Sequence, residues 1–280
     1  MGFGGKGSNQ AIAAAKYGAD TRFVARVGAD DDGRDRLALY QRTGVSTDWI
    51  PIDDSRHSGV AMILVDEDGL NMISVAYGAN FALSAQDIDR AMPAIRESFI
   101  TGFQLENKLE TVFYGIHKVH ESGGRTFLDP APAAHIPDEI YPRIDIIKPN
   151  ETEARFLTGI EVRDAESAKA AGVWFIKKGV RTAIITLGNK GVALISTGLT
   201  RYFPAPSVHA VDSTGAGDIF SGAFLYSLAS GKSTEDAIQF AIVAASLSTE
   251  LPGVVGAIPE VAVVMRKMQG FQDFQEISYG

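Results

Sequence analysis

The sequence contains no cysteine, and this absence excludes several chemistries at once. A chain without thiols has no disulfide bonds, no thiolate nucleophile and no cysteine-based metal site. Basic charge is also scarce, because 26 Lys and Arg face 34 Asp and Glu, which gives a formal net charge of -8. Nucleic-acid binding requires a basic surface, so we expect no nucleic-acid partner.

Long apolar runs are missing too, and we therefore expect neither a membrane span nor a membrane partner. The missing cysteines are compatible with the cytoplasm, which is the location we expect. What the sequence does hold is ordinary for a globular protein: 280 residues, of which 45% are hydrophobic and 21% are charged. This length and composition predict one large domain, or one domain with an insertion.

Strand and helix patterns alternate along most of the chain. Such alternation predicts an α/β fold with a doubly wound, mostly parallel sheet and helices on both of its faces. In sheets of this kind, ligands bind beyond the carboxyl ends of the strands. The predicted strands are 21–27, 99–103, 125–129, 144–148, 182–186 and 192–196. The predicted helices are 9–17, 33–43, 84–95, 108–122, 164–178, 215–230, 234–250 and 259–268, with a short helix from Glu151.

Residues 49–76 depart from this alternation. Two apolar segments, 59–65 and 70–76, follow each other without a helix, and Asp66-Glu67-Asp68-Gly69 between them is a turn signal. The pattern predicts an antiparallel hairpin that forms a small lid over the ligand site. The predicted division is an α/β core of residues 1–48 and 77–280 and a β-hairpin lid of residues 49–76.

The segment with the clearest chemistry is Asp212-Ser213-Thr214-Gly215-Ala216-Gly217-Asp218. Its small residues lie where a loop turns into a helix, so free N–H groups and the positive end of the helix dipole converge there. Such a position favours phosphate. Asp218, in the first helical turn, is then placed to accept the proton of a hydroxyl that attacks phosphorus. The alternative is a tight glycine turn in which Asp218 only complements the helix dipole.

Further polar residues follow the predicted strands, whose carboxyl ends share one edge of the sheet. Glu106, Asp129, Asn150 and Thr186 should therefore converge near the phosphate site. Asp129-Pro130 and Pro149-Asn150 are also ordinary turn sequences, whereas glutamate is a poor turn residue. Asn150 and Glu153 have the spacing of a capping box, and this role leaves the second oxygen of Glu153 free to reach a water on Mg²⁺.

The glycine-rich start, residues 4–8, is not a P-loop, because Gly7 follows Lys6 where that motif requires Ser or Thr. Together with residues 212–218 it resembles the two signature motifs of the ribokinase-like (PfkB) sugar kinases. The match covers essentially the whole chain. Between the two signatures, further motifs appear in the family's order: Ser58-Gly59-Val60-Ala61, Gly78-Ala79-Asn80, Gln104-Leu105-Glu106, Asp129-Pro130-Ala131-Pro132, Pro149-Asn150-Glu151-Thr152-Glu153 and Ile185-Thr186-Leu187-Gly188.

The resemblance implies ATP-dependent phosphorylation of the primary hydroxyl of a furanose sugar, with D-ribose as the first choice. Asp218 would be the base, and Gly215, Ala216 and Gly217 would form the anion hole for the transferring phosphoryl group. The sugar would be held by Gly5, Lys6, Gly7, Asn9 and Glu106. The nucleotide would lie against Asn150, Thr186, Leu187, Gly188, Asn189, Lys190 and Gly191, with Glu153 serving Mg²⁺ through water.

The resemblance also implies a monovalent cation, usually K⁺, beside the anion hole. Its ligands would come from Asp212, Thr214, Ser248, Leu251 and Gly253. A serine side chain that often belongs to this cation site in the family aligns with Ala257, so that oxygen is missing here. The lid at residues 49–76 implies a homodimer interface.

The sequence begins after the strand that carries an Asn-x-Asp sugar clamp in this family. We therefore expect the first strand, the clamp aspartate and part of the lid to be absent, which would leave an open sheet edge and poor stability. This departure keeps two alternatives open. One is a kinase for another substrate, such as deoxyribose, fructose or adenosine. The other is a catalytically impaired protein that binds sugar or nucleotide.

Overall fold

The computed structural model describes residues 4–65 and 71–269. Helices alternate with strands along the chain, as the sequence predicts. The helices are α1 (Lys6–Tyr17), α2 (Asp31–Arg42), α3 (Ala85–Glu97), α4 (Leu109–Glu121), α5 (Glu151–Thr158), α6 (Ala165–Lys177), α7 (Ala216–Ala229), α8 (Thr234–Ser248) and α9 (Val261–Gln269). Short 3₁₀ helices cover Gly78–Ala82, Tyr141–Arg143 and Gly188–Lys190. None of the helices in the described ranges is both long and apolar enough to cross a membrane.

The strands of the described residues form one large sheet and several two-stranded ones. The strands are β1 (Thr21–Arg22), β2 (Val27–Gly28), β3 (Val45–Ser46), β4 (Ile52–Asp53), β5 (Val60–Val65), β6 (Asn71–Ala76), β7 (Thr101–Phe103), β8 (Thr126–Leu128), β9 (Ile146–Ile147), β10 (Thr182–Thr186), β11 (Gly191–Ser196) and β12 (Leu199–Pro204). The large sheet has the order β12-β11-β10-β9-β8-β7. Its strands β7 to β10 are parallel, and β11 and β12 are antiparallel additions.

Alternate side chains of the large sheet enter two separate cores, because successive residues of a strand point to opposite faces. On β8, Phe127 packs on the side that holds α1, α7 and α8. The next residue, Leu128, packs on the side that holds α4, α5 and α6. Ile184 and Ile185 of β10 divide in the same way. The predicted doubly wound α/β fold is therefore confirmed.

Helices α1 and α7 pack closely on one face of the sheet. A Cβ added at Gly222 of α7 would lie 2.5 Å from the backbone oxygen of Gln10 and 2.6 Å from the side chain of Ala13. Only glycine allows two helix backbones to approach this closely. The contact brings the start of α1 beside the start of α7, where Asn9 reaches Asp218.

The start of the chain differs from the prediction in its strands, since the short strands β3 and β4 were not predicted. The predicted strand 21–27 is split into β1 and β2, which pair in parallel with β3 and β4 respectively. Residues 23–26 have no ladder partner in the described part of the chain, so no continuous strand forms there. Strand β12 is a second difference. The sequence of β12 lacks the apolar alternation by which strands are recognised. In the structure, only Phe203 of β12 is buried.

The hairpin of β5 and β6 is antiparallel, with Val60 opposite Ala76, and this prediction is confirmed. The predicted turn at residues 66–69 lies outside the described residues. The division of the chain into an α/β core and a lid at residues 49–76 stays a prediction.

Candidate active site

Four chain segments meet at the carboxyl end of the large sheet: the starts of α1 and α7 and the residues that follow β8 and β9. Lys148, directly after β9, places its Nζ 2.8 Å from Asp129 Oδ2, directly after β8. The same Nζ donates to the carbonyl oxygen of Gly217 in α7 at 3.2 Å. The residues that follow β8 and β9 and the 212–218 loop therefore lie together, as predicted.

Asp218 is the best-buried carboxylate of the 212–218 loop, with 6% of its surface exposed. Asn9 Nδ2 donates to its Oδ2 at 2.8 Å, and Gln10 Nε2 donates to its Oδ1 at 3.3 Å. Burial raises the pKa of Asp218, while the charge of Lys6 and the hydrogen bond from Asn9 oppose the rise. A fixed carboxylate with a raised pKa is well suited to accept a proton.

The start of α7 leaves backbone N–H groups free. Gly215 is the N-cap with a φ of +74°, in the left-handed region that favours glycine, and a Cβ there would lie 2.6 Å from Val254 Cγ1. The N–H groups of Ala216 and Asp218 donate within the turn. Within the described residues, those of Gly215 and Gly217 have no backbone acceptor. These two groups lie at the positive end of the helix dipole and can bind an anionic phosphoryl group.

The glycine-rich start adjoins Glu106, as the sugar-site prediction requires. The N–H of Lys6 donates to Glu106 Oε2 at 2.7 Å. Gly5 has a φ of +105°, which allows the chain to turn sharply into α1. At Gly7 a Cβ would lie 2.8 Å from Gln104 Oε1, so a side chain does not fit. Residues 5–7 and Glu106 therefore form one wall, next to the start of α1.

The charges of this centre are strongly coupled. Burial raises the pKa of Glu106, and the N–H and the charge of Lys6 oppose the rise. For Lys6 the balance is reversed. Burial lowers its pKa, but the combined attraction of Asp218, Asp129, Glu106 and Glu153 is larger, and the pKa of Lys6 is raised. Lys6 therefore stays a cation, available to bind hydroxyl or phosphate oxygens.

Asn150 and Glu153 form the predicted capping box at the start of α5. The Glu153 N–H donates to Asn150 Oδ1 at 2.8 Å, and the Asn150 N–H donates to Glu153 Oε2 at 2.9 Å. Burial raises the pKa of Glu153, and the N–H of Asn150 opposes the rise. No cluster of three or more His, Asp or Glu in the described ranges could hold a metal ion by itself. Mg²⁺ at Glu153 would therefore rely on water and phosphate oxygens, as Mg²⁺ commonly does.

The two halves of the predicted nucleotide site are neighbours. Thr186 at the end of β10 forms an isolated parallel bridge with Asn150. Gly188 and Asn189 follow in an exposed 3₁₀ turn, and a Cβ at Gly188 would lie 3.9 Å from Glu151 Oε1. The backbone of this turn is therefore open beside the start of α5.

Three other residues of this turn are engaged in the fold itself. The Leu187 side chain is buried in the core on the α5 and α6 side. Lys190 Nζ donates to the carbonyl oxygen of Arg163 at 2.6 Å. Gly191 has a φ of +125°, and a Cβ there would lie 2.0 Å from the carbonyl oxygen of Phe203. Contact of these residues with a nucleotide stays a prediction, and such a contact would be made mainly by their backbone groups.

Asp212 links the start of the signature loop to the loop after α8. Its Oδ1 accepts the N–H of Thr214 at 2.9 Å, and its Oδ2 accepts the N–H of Gly253 at 2.8 Å. Hydrogen bonds from the Thr214 side chain and from these two N–H groups lower the pKa of Asp212. The carboxylate is therefore charged, and the predicted cation ligands Asp212, Thr214 and Gly253 lie together.

The remaining predicted cation ligands are Ser248, the last residue of α8, and Leu251 in the loop that follows it. The carbonyl oxygen of Thr249 accepts the N–H of Asp212 at 3.0 Å. Ser248 turns its hydroxyl to the end of α8 rather than towards Asp212, and its carbonyl oxygen accepts the N–H of Leu251 at 3.4 Å. Ala257 is buried and supplies no side-chain oxygen. Asp212 is therefore the one charged side chain among the predicted cation ligands, and K⁺ binding stays a prediction.

Four residues of this centre have no role in the sequence prediction: Gln10, Asp129, Lys148 and Ser221. Asp129, interpreted as a turn residue, is only 2% exposed. Its Oδ2 accepts from Gln10 Nε2 at 2.9 Å and from Ser221 Oγ at 3.0 Å. The sequence signal was weak: a charged residue directly after an apolar strand, such as Lys148, is almost never fully buried unless it is paired.

Comparison with known proteins identifies the family. The family model "pfkB family carbohydrate kinase" matches residues 1–261. The chain belongs to the pfkB family of carbohydrate kinases. This confirms the family and the enzyme class predicted from the sequence. In this pfkB kinase, the two signature motifs are the segments that meet at Asn9 and Asp218.

The similarity extends over most of the chain. Ribokinase of Haemophilus influenzae is 39% identical over 257 residues, which cover 92% of this pfkB kinase and 84% of that relative. Deoxyribokinase of Salmonella typhi is 34% identical over 262 residues, 93% of this chain and 86% of the relative. The structure of Arabidopsis thaliana ribokinase complexed with ribose and ATP is similar with a TM-score of 0.86 and 32% identity, over 94% of this chain and 86% of that one.

Proposed function

We propose that the protein transfers the γ-phosphoryl group of ATP to the primary hydroxyl of D-ribose and forms ribose 5-phosphate and ADP. The observation that carries this proposal is the buried Asp218, held between the start of α1 and the free N–H groups of α7. The proposed place of the reaction is the cytoplasm, where ATP is supplied.

In the proposed reaction, the sugar hydroxyl oxygen forms a bond to the γ-phosphorus while the bond from that phosphorus to the bridging oxygen of ADP breaks. The hydroxyl proton passes to Asp218. Its raised pKa favours this acceptance, and Asn9 and Gln10 keep the carboxylate oriented. The negative charge of the transferring group is stabilised by the N–H groups of Gly215 and Gly217 at the helix start.

We assign the sugar to the wall formed by Gly5, Lys6, Gly7, Asn9 and Glu106. Glu106 and Lys6 offer a carboxylate and an ammonium group, the two partners that sugar hydroxyls need as acceptor and donor. Asn9 Oδ1 is buried and has no partner in the described part of the chain, so it is available to accept a hydroxyl hydrogen bond.

We assign ATP to Asn150 and to the backbone of the turn at residues 186–191. Mg²⁺ would be served by Glu153 through water, because the capping box uses only its Oε2. When bound, Mg²⁺ supplies charge neutralisation at the phosphate oxygens. For K⁺, the proposed ligands are Asp212 and the carbonyl groups of Thr214, Ser248, Leu251 and Gly253.

Ribose is preferred to other acceptors because a relative named ribokinase is 39% identical and a ribokinase complexed with ribose and ATP has the same fold. Deoxyribose is the second candidate, because a deoxyribokinase is 34% identical. A site that hydrogen-bonds a substrate hydroxyl rejects the analogue that lacks it, so the two sugars separate the candidates.

A coupled assay of ADP release tests the proposal. Ribose, 2-deoxyribose, fructose and adenosine are compared at saturating ATP, with and without Mg²⁺ and with K⁺ or without it. We expect the highest kcat/KM with ribose, no release without Mg²⁺ and faster release with K⁺. Nucleotide binding in a calorimeter without ADP release from any acceptor would contradict the proposal and would favour a binding protein.

We also propose a homodimer through the hairpin of β5 and β6. Its described side chains include exposed apolar ones, with Met62 63%, Val75 43% and Val60 39% exposed. Val60 and Met62 lie on one face of the hairpin, because they are two residues apart on β5, whereas Val75, opposite Ala61, lies on the other. A second copy of the same hairpin would cover the face of Val60 and Met62. Sedimentation velocity tests the proposal: a dimer is expected for the wild type and a monomer for Met62→Glu, and a wild-type monomer would contradict it.

A further inference from the structure

Lys148 and Asp129 form an ion pair beneath the active site that the reaction described above does not use. Their Nζ and Oδ2 atoms are 2.8 Å apart, and the residues expose only 3% and 2% of their surfaces. A buried ion pair is weak evidence for stability, because apolar residues of similar volume often replace one at no loss. The pair lies against Gly217 of the 212–218 loop, so its position is better explained by a role in the reaction than by stability.

Lys148 holds the peptide group that joins the anion hole to the base. Its Nζ donates to the carbonyl oxygen of Gly217 at 3.2 Å, and Ser221 Oγ, whose single hydrogen is shared between Asp129 Oδ2 and this oxygen, lies 3.0 Å from each. That oxygen and the N–H of Asp218 belong to one planar peptide unit, so fixing one fixes the other. A Cβ at Gly217 would lie only 3.7 Å from Lys148 Nζ.

Asp129 connects the same cation to the base through side chains. Its Oδ2 accepts from Lys148, Gln10 and Ser221, and Gln10 Nε2 is also 3.3 Å from Asp218 Oδ1. Gln10 is held in turn by Gln104, whose Nε2 donates to its Oε1 at 2.6 Å. Lys148 is therefore linked to Asp218 along two routes, one through the backbone and one through Asp129 and Gln10.

We propose that Lys148, paired with Asp129, is a positioning residue that holds the Gly217–Asp218 peptide in place for phosphoryl transfer. This role presupposes the kinase activity proposed above. It differs from the roles of Lys6 and Glu106, which are assigned to the sugar itself. Loss of Lys148 should therefore lower kcat and leave the KM for ribose nearly unchanged.

The charge of Lys148 also affects the base. After the larger effect of burial, Asp129 raises the pKa of Asp218 and Lys148 lowers it. Without Lys148, the carboxylate of Asp129 would face Asp218 unpaired, so the acid limb of the kcat profile should move to higher pH. The other charged groups of the centre stay unchanged in this comparison: Lys6 on α1, Glu106 after β7 and Glu153 on α5.

The test is Lys148→Met, assayed with ribose and ATP in the full chain. We expect kcat to fall about 10- to 100-fold, which is less than the roughly 10²- to 10³-fold for losing a direct donor to the developing charge, because Lys148 acts through the Gly217 peptide. The KM for ribose should change less than about threefold, and the acid limb of the kcat profile should move to higher pH. In the double variant Lys148→Met/Asp129→Asn, two neutral side chains replace the buried ion pair. The acid limb should return towards the wild type, while kcat stays low because Lys148 no longer donates to the Gly217 carbonyl.

Thr126→Val is the matched control. Thr126 is fully buried on β8, at the opposite end of the strand from Asp129, and its hydroxyl donates to the carbonyl oxygen of Arg143 at 2.7 Å. Its loss should lower stability without a change in kcat or in the pH profile.

A folded Lys148→Met with the kcat and pH profile of the wild type would overturn the role of Lys148 alone. If Lys148→Met does not fold, the double variant Lys148→Met/Asp129→Asn is assayed in its place. A wild-type kcat in the double variant would likewise overturn the role of Lys148. A wild type that releases no ADP with ribose overturns the proposed function and this role together.

Discussion

Replacement of Asp218 by asparagine is the sharpest perturbation of the proposed mechanism, because it removes the proton acceptor and keeps the shape. A general base contributes about 10²- to 10⁴-fold to a rate. Asp218→Asn should therefore lower kcat by that factor, which corresponds to about 3–5 kcal/mol of barrier at about 1.36 kcal/mol per decade. The KM for ATP should change little, because Asp218 is assigned to the sugar hydroxyl and not to the nucleotide.

The structure explains why this variant should still fold. Both oxygens of Asp218 accept amide hydrogens, so a new amide group at position 218 would place one donor against Asn9 or Gln10. Asn9 can resolve this conflict by rotating its amide, because its Oδ1 has no partner within the described residues and can accept the new hydrogen bond. The free energy of unfolding should therefore change by only about 1 kcal/mol.

The assay is steady-state ADP release with ribose, paired with thermal unfolding of the same preparation. Asp145→Asn is a matched carboxylate-to-amide control, since Asp145 accepts the N–H of Thr126 near the opposite end of the sheet. It should leave kcat unchanged. A kcat for Asp218→Asn within tenfold of the wild type would refute the assignment of Asp218 as the base.

Further predictions concern the pH profile, the loop and the sugar wall. Because burial raises the pKa of Asp218 and the base must be ionised, kcat should fall on acidification at a pH above the ordinary aspartate pKa of 3.8, which a pH–rate profile measures. Gly215→Ala should lower the free energy of unfolding by about 1–2 kcal/mol because of the φ of +74° and by about 1–3 kcal/mol because of the contact with Val254. Denaturant unfolding measures this loss. Adding Val254→Ala should recover only the stability lost through the contact with Val254. Full recovery of the stability would contradict the backbone strain at position 215. Glu106→Gln should raise the KM for ribose about tenfold or more, since it weakens a charged hydrogen bond, and an unchanged KM would remove Glu106 from the sugar wall.

Much of this protein could be predicted from local patterns. Strand and helix periodicities depend on residues close in sequence, so the alternating fold and the β5 and β6 hairpin were predictable. The capping box of Asn150 and Glu153 is equally local, because its partners are three residues apart. The 212–218 motif indicates a loop-to-helix phosphate site for the same reason. The split of the predicted strand 21–27 was not predictable, since a strand exists only where a neighbouring strand pairs with it.

What the sequence by itself determined is therefore most of the elements, the family and the candidate residues of the site. Only the tertiary structure decided how distant charges share one buried space. Asp129 and Lys148 each look like the end of a strand, and their pairing depends on β8 and β9 being neighbours in the sheet. The raised pKa of Asp218 likewise comes first from burial between α1 and α7. Burial and charge coupling act through space, between residues on different elements, and no local pattern encodes them.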